Sequence, residues 1–490
     1  MNNILLLNLN WNKCHEFGAM THNAVGLPLE YVYILSDLKN KNYNVSFIDL
    51  WALHKNLEDV HTEIQKSEFI VVCSSPSYLF WRDGVWGIEF LQQNLDCIKK
   101  INPSAILILI GPHGTVLPET LFSKNLDFII RGEPELIIAD LIRTIQNNLS
   151  YPSGVCYRKN GSWFISDETI EIPDLNMLPS IRFDLVNIDL YPYPLPPEGV
   201  GEGITALYEA SRGCIFRCIF CWRKGFRDKY RRKSLNRIKE ELLALKNVKY
   251  IYLIDEIFPI DTEWCFQVCS LLKECGIRWG CQVRPEFIVN DAIIDMIISK
   301  GCKLIQIGLE TTDPLSYALA KKTKIADLEH LNINIQKLIS NNITIDLFLI
   351  FGLPKDSGKS QLNMVKQLRS FSLDKINIIA HSAIPFPGTE LWDMGIKEGR
   401  ALKTWADIKP FIGLISNQFK DKNHLQKNTR KAIAYLNLFK TIKIIKNRLN
   451  KSHRIFLRDI FKLSFYMVCF IFPNINNIKG LIYKDKKNEK

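Results

Sequence analysis

Three closely spaced cysteines constrain this chain more than any other feature. Cys214, Cys218 and Cys221 follow one another with the spacing C-x3-C-x2-C. Thiolates this close together bind soft metals, and an iron–sulfur cluster is a leading candidate. A cluster of four irons held by three thiolates leaves one iron open, as a catalytic metal site keeps a position for substrate. The spacing therefore predicts an iron–sulfur cluster that takes part in chemistry rather than only carrying electrons.

Two other interpretations of these cysteines remain open. Cysteine is often buried, so the three could share a hydrophobic core. They could also bind structural zinc, but that site normally has a fourth Cys or His nearby. No His lies between residues 114 and 329, which argues against zinc. We interpret Cys265, Cys269 and Cys275, which follow a helical spacing, as core cysteines.

The chain of 490 residues is long enough for two or three domains. Residues 1–150 alternate apolar strands and amphipathic helices, beginning with an apolar strand rather than a secretion signal. This alternation predicts a Rossmann-like α/β domain with a parallel sheet covered on both faces. Ligands of such sheets bind at the carboxyl ends of the strands. The loops predicted at that edge contain Ser74, Ser75, Gly111, Pro112, His113, Gly114, Gly132 and Glu133.

A second α/β region follows a change in composition. Residues 151–203 are rich in Pro and Gly and predict a linker with a small hairpin at 154–165, turning at Asn160-Gly161. Residues 204–400 contain about six further strand–helix units, which predicts a partial (β/α)6 barrel. The three cysteines come directly after its first strand, predicted at 206–210. Active groups in such barrels lie at the carboxyl ends of the strands.

Residues 401–490 form a basic C-terminal region. Of the 63 Lys and Arg in the chain, 18 lie in residues 420–490, against 4 Asp and Glu. The rest of the chain is close to neutral, so we expect no nucleic-acid partner. Residues 425–449 predict an amphipathic helix, and the apolar run 463–472 is too short to span a membrane. The helix could lie on an anionic membrane, or it could be a lid over the barrel with a solvated basic face.

The cysteines and the strand ends that follow them resemble the radical S-adenosylmethionine (SAM) superfamily. The segments that carry this resemblance are YLIDEIF at 252–258, QVRP at 282–285, QIGLE at 306–310, FGLP at 351–354 and PFPGTE at 385–390. The resemblance implies that Cys214, Cys218 and Cys221 hold a [4Fe-4S] cluster and that SAM binds the open iron. An electron from the cluster would then cleave SAM to a 5′-deoxyadenosyl radical.

The same resemblance implies a group of SAM-binding residues, each with a structural alternative. Phe220 would shield the cluster, or pack as an ordinary apolar side chain. Arg284 would hold the SAM carboxylate, or act as a structural arginine. Asp255 and Glu256 are adjacent on a predicted strand, so only one is expected to face the interior. Gln306 and Glu310 would meet SAM at the fourth strand, although Glu310 could instead form an ion pair at the rim.

The N-terminal region resembles the cobalamin-binding domain that often precedes this barrel. The pattern that carries this resemblance is GPHG at 111–114, PE at 118–119 and GE at 132–133. The D-x-H-x-x-G motif, which supplies a cobalt ligand in other cobalamin proteins, is absent. The resemblance therefore implies cobalamin bound without a protein histidine on cobalt, with His113 acting as a loop residue. The eight loop residues from Ser74 to Glu133 named above are its expected contacts.

Together these resemblances imply a cobalamin-dependent radical SAM methyltransferase acting on an unactivated carbon of a lipid or natural-product intermediate. A non-methylating cyclase or rearrangement enzyme remains open, as does an iron–sulfur protein without substrate chemistry. The expected partners are a small-molecule or lipid substrate and an external electron donor of the flavodoxin or ferredoxin type. We expect a cytoplasmic protein, with peripheral contact of the basic tail with the inner face of the membrane as an open alternative.

Overall fold

The computed structural model describes residues 3–14, 26–77, 87–191, 204–222, 227–245, 247–322, 327–372, 375–400, 402–404 and 407, together with six helical positions between 432 and 442. The chain divides into two compact units. The first unit comprises residues 1–282, 295–304 and 385–408, and the second comprises residues 283–294, 305–384 and 409–490.

A seven-stranded sheet organises the N-terminal part of the first unit. Its strands are β1 (Asn3–Asn8), β2 (Asn44–Asp49), β3 (Phe69–Cys73), β4 (Ile106–Ile110), β5 (Phe128–Ile130), β6 (Val155–Lys159) and β7 (Ser162–Phe164). Their order is β2-β1-β3-β4-β5-β6-β7. The first five are parallel, and β6 and β7 are antiparallel to their neighbours. The order of the parallel strands matches the flavodoxin-like doubly wound fold.

Helices accompany this sheet in the predicted alternation. They are α1 (Leu29–Asn40), α2 (His61–Lys66), α3 (Ile88–Ile101), α4 (Pro112–Val116) and α5 (Ile137–Asn147). Every residue of β1, β3 and β4 is buried except the first residue of β1 and of β4. Near-continuous apolar strands of this kind are typical of a parallel sheet that is covered on both faces. The predicted Rossmann-like architecture is confirmed.

The predicted hairpin extends this sheet. β6 and β7 turn at Asn160 and Gly161, which both have positive φ angles of 51° and 83°. Positive φ at both central residues is the requirement of a type I′ turn, and Asn-Gly meets it with the least strain. β6 pairs with β5, so the sheet continues past residue 150. The Pro-rich segment 192–203 lies outside the described residues.

The strand–helix alternation resumes after residue 204. The strands are β8 (Ile204–Tyr208), β9 (Ser211–Arg212), β10 (Arg231–Arg232), β11 (Val248–Leu253), β12 (Arg278–Val283), β13 (Cys302–Glu310), β14 (Thr344–Phe351) and β15 (Ile376–Ser382). The helices are α6 (Leu235–Ala244), α7 (Thr262–Glu274), α8 (Pro285–Ile288), α9 (Asp291–Ser299), α10 (Pro314–Leu319), α11 (Leu328–Ser340), α12 (Gly358–Gln367) and α13 (Glu390–Lys397).

Six of these strands build the predicted (β/α)6 organisation. The first unit contains the strand order β8-β11-β12-β13, and the second contains β13-β14-β15, since β13 contributes residues to both. The pairs β8–β11, β11–β12 and β14–β15 are parallel. β9 and β10 form a separate antiparallel pair. The predicted succession of strands in chain order is confirmed.

Local signals explain where the helices begin. Asp261 precedes α7, and its side chain accepts a hydrogen bond from the backbone N–H of Trp264, which satisfies a donor that the first turn cannot pair. The buried face of α7 includes Cys265 and Cys269. These two cysteines are core residues, as expected. Cys275, at the end of α7, is only partly buried.

The C-terminal helix predicted at 425–449 is described at six positions. Residues 432, 434, 435, 438, 439 and 442 are helical. Ala432 is fully buried, and Phe439 packs under the guanidinium of Arg369, 4.1 Å from the ring centre. The apolar run 463–472 lies outside the described residues. Within the described part of the chain, no helix is long and apolar enough to cross a membrane.

Candidate functional site

The three cysteines lie on one loop that is closed at its base by two short strands. We call residues 213–230, between β9 and β10, the cluster loop. Cys214 is buried, Cys218 is partly buried and Cys221 is exposed. The loop backbone is tied internally, since the N–H of Cys214 donates to Arg227 O at 3.3 Å and that of Cys221 donates to Cys218 O at 3.1 Å. The exposure of the three cysteines therefore increases from Cys214 to Cys221.

A backbone hydrogen bond also reaches the sulfur atom of Cys214. The backbone N–H of Phe216 donates to Sγ of Cys214 at 3.4 Å. Such bonds stabilise a thiolate and influence the reduction potential of a cluster bound to it. Phe220 is partly buried in the turn before Cys221. Its predicted role as a shield for the cluster stays a prediction.

Gly213 makes the start of the cluster loop possible. Its φ angle is +91°, and a Cβ at this position would lie 1.9 Å from Lys229 O. Both the left-handed conformation and the close approach of the opposite side of the loop require glycine. The backbone N–H of Gly213 donates to Oε2 of Glu256 at 2.7 Å. Cys214 is therefore held in place by the residue directly before it.

Asp255 and Glu256 both bond to this region, which corrects the expectation that they face opposite sides. β11 ends at Leu253, so the two carboxylates lie beyond the strand, where side chains no longer alternate. Asp255 is fully buried and accepts hydrogen bonds from the N–H groups of Ala210 and Ser211 at 3.0 and 2.7 Å. Burial raises the pKa of Asp255 to about 7.

Glu256 forms an ion pair with an arginine that the sequence pattern did not reveal. Arg227 lies on the cluster loop, and its Nε is 2.8 Å from Oε1 of Glu256. Arg227 is 1% exposed, although it lies in a basic stretch of the sequence. Together Asp255 and Glu256 hold the base of the cluster loop at Ser211, Gly213 and Arg227. This arrangement gives both carboxylates a positioning role for the cysteines.

A second set of buried charges surrounds the stems of the same loop. Arg212 on β9 lies within 3.3 Å of Glu133, Glu135 and Glu209, and all four side chains are at most 3% exposed. Arg231 on β10 pairs with Glu133 at 2.8 Å. The sequence pattern does not reveal this set, because Glu133 and Glu135 are distant from Arg212 in sequence.

The second unit contains three of the predicted SAM residues. Arg284 follows β12, and its Nη2 is 2.5 Å from Oε1 of Glu286. The hydroxyl of Tyr317 donates to the same oxygen at 3.1 Å. Arg284 is therefore already paired with a carboxylate, as its structural alternative expected. Its predicted contact with SAM stays a prediction.

Glu310 ends β13 in an unusual backbone conformation. Its φ angle is +66°, a left-handed backbone conformation that non-glycine residues adopt at a cost. Burial raises the pKa of Glu310, while Lys322 partly offsets this effect. Nζ of Lys322 lies 3.8 Å from Oε1 of Glu310 and donates to Gly308 O at 2.6 Å. Lys322 is a polar partner that the sequence pattern did not reveal.

Gln306 takes part in a polar row across β13, β14 and β15. Its Nε2 donates to Oδ2 of Asp346 at 2.9 Å, and Asn377 donates to the other oxygen of Asp346 at 2.9 Å. Asp346 is buried. The row satisfies the buried carboxylate inside the second unit, whether or not Gln306 also meets SAM.

The predicted cobalamin loops lie at the carboxyl ends of β3, β4 and β5. Ser74 and Ser75 are fully buried. Oγ of Ser74 lies 3.1 Å from Nδ1 of His113 and accepts a hydrogen bond from its backbone N–H at 3.3 Å. Gly111 has a φ angle of +103°, and a Cβ there would lie 2.9 Å from Oγ of Ser74. The structure therefore brings the first two loops together.

The third loop, which contains Gly132 and Glu133, makes close contacts with other parts of the protein. A Cβ on Gly132 would lie 2.1 Å from Ile170 O, so this glycine is required by the neighbouring backbone. The carboxylate of Glu133 is fully buried and bonded to Arg231 and to the N–H of Ile172. A Cβ on Gly114 would meet Ile129 at 2.4 Å, and Pro112 is buried at the start of α4. Packing thus explains Gly114, Gly132 and Glu133 without a cofactor, and their predicted contact with cobalamin stays a prediction.

The donor set of the cluster loop consists of three thiols. Among the described residues, no three His, Cys, Asp or Glu side chains are grouped as ligands of one ion. A cubane does not require such grouping, since each thiolate binds a different iron. Zinc instead needs four ligands around one point. Three thiols on one loop, with backbone N–H support, suit a cluster that has an open position.

Residues 208–368 match the family model of the radical SAM superfamily. An uncharacterised methyltransferase of Pyrococcus horikoshii is 23% identical over 450 residues, which cover 88% of this chain and 91% of the relative. An anaerobic magnesium-protoporphyrin IX monomethyl ester cyclase of Rubrivivax gelatinosus is 24% identical over 73% of this chain. The match spans 65% of that cyclase, slightly less than two thirds of its length.

Solved structures show the same fold. OxsB, a cobalamin-dependent SAM radical enzyme, superposes with a TM-score of 0.64 at 16% identity, covering 95% of this chain and 70% of OxsB. The radical SAM methyltransferase TsrM of Kitasatospora setae superposes with a TM-score of 0.62 at 14% identity, covering 82% of this chain and 77% of TsrM. Residues 208–368 are therefore a radical SAM domain, and the chain shares the fold of these solved structures.

Proposed function

We propose that this chain is a cobalamin-dependent radical SAM methyltransferase. The observation that carries the proposal is the cluster loop, whose three cysteines lie inside the matched radical SAM domain and whose base is fixed by Asp255 and Glu256. The N-terminal sheet, with its β2-β1-β3-β4-β5 order, supports a second cofactor. Relatives named as methyltransferases and a solved neighbour that binds aqua-cobalamin and SAM point in the same direction.

The chain's own residues would hold the cofactors. Cys214, Cys218 and Cys221 would bind a [4Fe-4S] cluster, leaving one iron for SAM. When bound, the cluster would supply the electron for reductive cleavage of SAM, and cobalamin would supply a carrier for the methyl group. Asp255 and Glu256 would keep the cysteines in register through Ser211 and Gly213. The buried base of the loop at Cys214 would limit the access of water to the cluster.

The sites for SAM and cobalamin follow from the strand ends. We assign SAM to the carboxyl ends of the barrel strands, where Glu310 with Lys322 and Arg284 with Glu286 supply charged groups within the second unit. We assign cobalamin to the carboxyl edge of the N-terminal sheet, where Ser74 and His113 meet at 3.1 Å. Doubly wound sheets bind ligands where the strand order reverses, which here lies between β1 and β3.

The test follows the fate of SAM in the full chain. The protein is purified without oxygen, reconstituted with iron, sulfide and hydroxocobalamin, reduced, and supplied with methyl-labelled SAM alone. We expect S-adenosylhomocysteine, since the reduced cobalamin takes methyl from SAM, together with 5′-deoxyadenosine from reductive cleavage. A protein without cobalamin serves as the control and should yield 5′-deoxyadenosine but no cobalamin-dependent S-adenosylhomocysteine.

Other products would assign a different function. 5′-Deoxyadenosine without S-adenosylhomocysteine would favour a non-methylating enzyme, in line with the cyclase relatives. If a cluster-loaded protein formed neither product, the remaining interpretation would be an iron–sulfur protein without substrate chemistry. Either result would overturn the methyltransferase proposal.

We further propose an apolar substrate, a lipid or natural-product intermediate, and a cytoplasmic enzyme that takes electrons from a flavodoxin or ferredoxin.

Contact of the basic tail with the membrane is less well supported than a packed lid, because Ala432 is buried and Phe439 packs against Arg369 within the second unit. Co-sedimentation with phosphatidylglycerol vesicles, compared between the full chain and residues 1–419, distinguishes membrane contact of the tail from a packed lid. Salt-sensitive binding by the full chain alone would restore the membrane interpretation.

A further inference from the structure

A buried set of charges connects the N-terminal sheet with both stems of the cluster loop. We call it the stem charge cluster, and all of its members belong to the first unit: Glu133, Glu135, Glu209, Arg212 and Arg231. Each is at most 7% exposed. Glu133 and Glu135 follow β5, whereas the two arginines lie on β9 and β10. None of these groups has a role in the cofactor assignments above except Glu133.

Arg212 is the centre of this cluster. Its Nε and Nη2 bond to the two oxygens of Glu209 at 2.8 and 2.9 Å, which is a bidentate pair. Its Nη1 lies 2.9 Å from Oε1 of Glu135 and 3.3 Å from Oε1 of Glu133. One guanidinium therefore contacts three carboxylates. Only one residue, Gly213, separates Arg212 from Cys214.

Glu133 also reaches the opposite stem. Arg231 donates from Nη1 and Nη2 to its two oxygens at 2.9 and 2.8 Å. Arg231 pairs with Arg212 across β9 and β10. A single buried carboxylate thus contacts both strands that close the cluster loop. Moving Glu133 would move both stems together.

Stability alone is a weak explanation for this arrangement. Buried ion pairs often contribute little net stability, because removing the charges from water costs about as much as their attraction returns. The stem charge cluster contains three carboxylates and two guanidinium groups. Charged groups beside it include Glu171, which lies 3.7 Å from Arg231, and Glu241, which pairs with Lys233 and Arg237 at 2.7 and 3.1 Å. The carboxylates at the stems therefore lie in a region of low dielectric, where the charge of each acts strongly on its surroundings.

We propose that Glu133 and Glu135 are positioning residues for the cluster loop and that their charge also sets the reduction potential of the bound cluster. The inference rests on the proposed function, because it requires the cysteines to hold a cluster. Reduction adds an electron to the cluster, and a nearby negative charge opposes that addition, so it lowers the reduction potential. The N-terminal domain would in this way act on the radical-generating site through its β5 loop.

The test uses the full chain with Glu135→Gln, Glu135→Asp and Glu133→Gln, each reconstituted with iron and sulfide. The midpoint potential of the cluster is measured by a redox titration followed by EPR, and the loss of cluster absorbance is followed after an iron chelator is added. We expect Glu135→Gln and Glu133→Gln to shift the potential upward, because each removes a negative charge. Losing an outer-shell partner should also speed cluster loss by about 10-fold.

The charge-conserving variant separates electrostatics from packing. Glu135→Asp should keep a potential close to that of the unmodified chain, because the charge remains. Asp49→Asn is the matched control, since Asp49 is a buried carboxylate of the same unit that bonds to Asn8 and Tyr191 rather than to the stems. We expect it to leave both the potential and the rate of cluster loss unchanged.

The outcomes distinguish this inference from the proposed function. If the unmodified chain binds no cluster, the proposed function fails. If it binds a cluster and the Glu135 and Glu133 variants match it in both potential and cluster loss, the inference is overturned. An equal shift in Glu135→Asp or in Asp49→Asn would show general destabilisation and would also contradict it. Should Glu133→Gln not fold, the comparison of Gln and Asp at position 135 still decides the question.

Discussion

Single carboxylates in this protein have environments that their sequence neighbours do not reveal. Asp49 ends β2, is buried, and accepts hydrogen bonds from Asn8 and from the hydroxyl of Tyr191 at 3.0 and 3.2 Å. The backbone N–H groups of Trp51 and Ala52 also donate to it. Burial nevertheless raises the pKa of Asp49 to about 6, since the hydrogen bonds only partly offset the loss of water.

This raised pKa predicts a specific dependence of stability on pH. An unfolded aspartate has a pKa of about 3.9, so between about pH 4 and 6 the folded chain binds more protons at Asp49 than the unfolded chain. Its contribution to stability therefore falls as pH rises through that window, by roughly 2–3 kcal/mol in all. Asp49→Asn removes the titration.

The measurement is the difference in thermal midpoint between Asp49→Asn and the unmodified chain from pH 4 to pH 7. We expect the thermal midpoint of the variant to rise relative to that of the unmodified chain as pH increases to about 6. Above that pH the difference between the two midpoints should stay constant. A constant difference over the whole range would show that Asp49 is already ionised in the folded chain at pH 4.

At the scale of elements, the cluster loop depends on a glycine that allows its two sides to approach. Gly213→Ala would force a Cβ to within 1.9 Å of Lys229 O at a φ angle of +91°. We expect this variant to disrupt the loop, lose more than about 2 kcal/mol of stability and fail to hold a cluster. Iron content after reconstitution and the thermal midpoint are the measurements.

Gly301→Ala is the matched control for this prediction. Gly301 has a similar φ angle of +85°, but nothing lies within 4 Å of its Cβ position. We expect a loss of about 1 kcal/mol from the unfavourable backbone conformation alone, with iron content unchanged. Equal iron content in both variants would show that the approach of Lys229 does not position the cysteines.

The sequence predicted most elements because local patterns define them. β3, β14, α7 and α9 begin and end where the hydrophobic pattern and the capping residues place them. The strand predicted to carry Asp255 and Glu256 ends before them, since β11 stops at Leu253. That single boundary changed the expected directions of Asp255 and Glu256.

The site was only partly predictable for a related reason. The three cysteines are close in sequence, so their spacing reveals them. The partners of Arg212 are separated from it by up to about 80 residues, and a buried Glu looks like a surface Glu until the fold brings it to an arginine. Lys322 and Arg227 were missed because charged residues in basic stretches are usually solvated.

At the scale of the whole molecule, an N-terminal sheet with a ligand-binding strand order precedes a radical SAM domain in one chain. This combination supports the proposal that two cofactors act in a single reaction. The stem charge cluster further suggests that the two regions are energetically linked within the first unit. The central claim still depends on the three cysteines, because every later step requires the cluster.

The most direct test of that claim compares cysteine variants of the full chain after anaerobic reconstitution. Replacing Cys214, Cys218 or Cys221 with Ala should reduce cluster iron from about four per chain to near zero and abolish cleavage of SAM. Cys275→Ala, at a partly buried cysteine outside the cluster loop, should retain both. If any of the three cluster-loop variants kept full iron content and SAM cleavage, the account of this site would be contradicted.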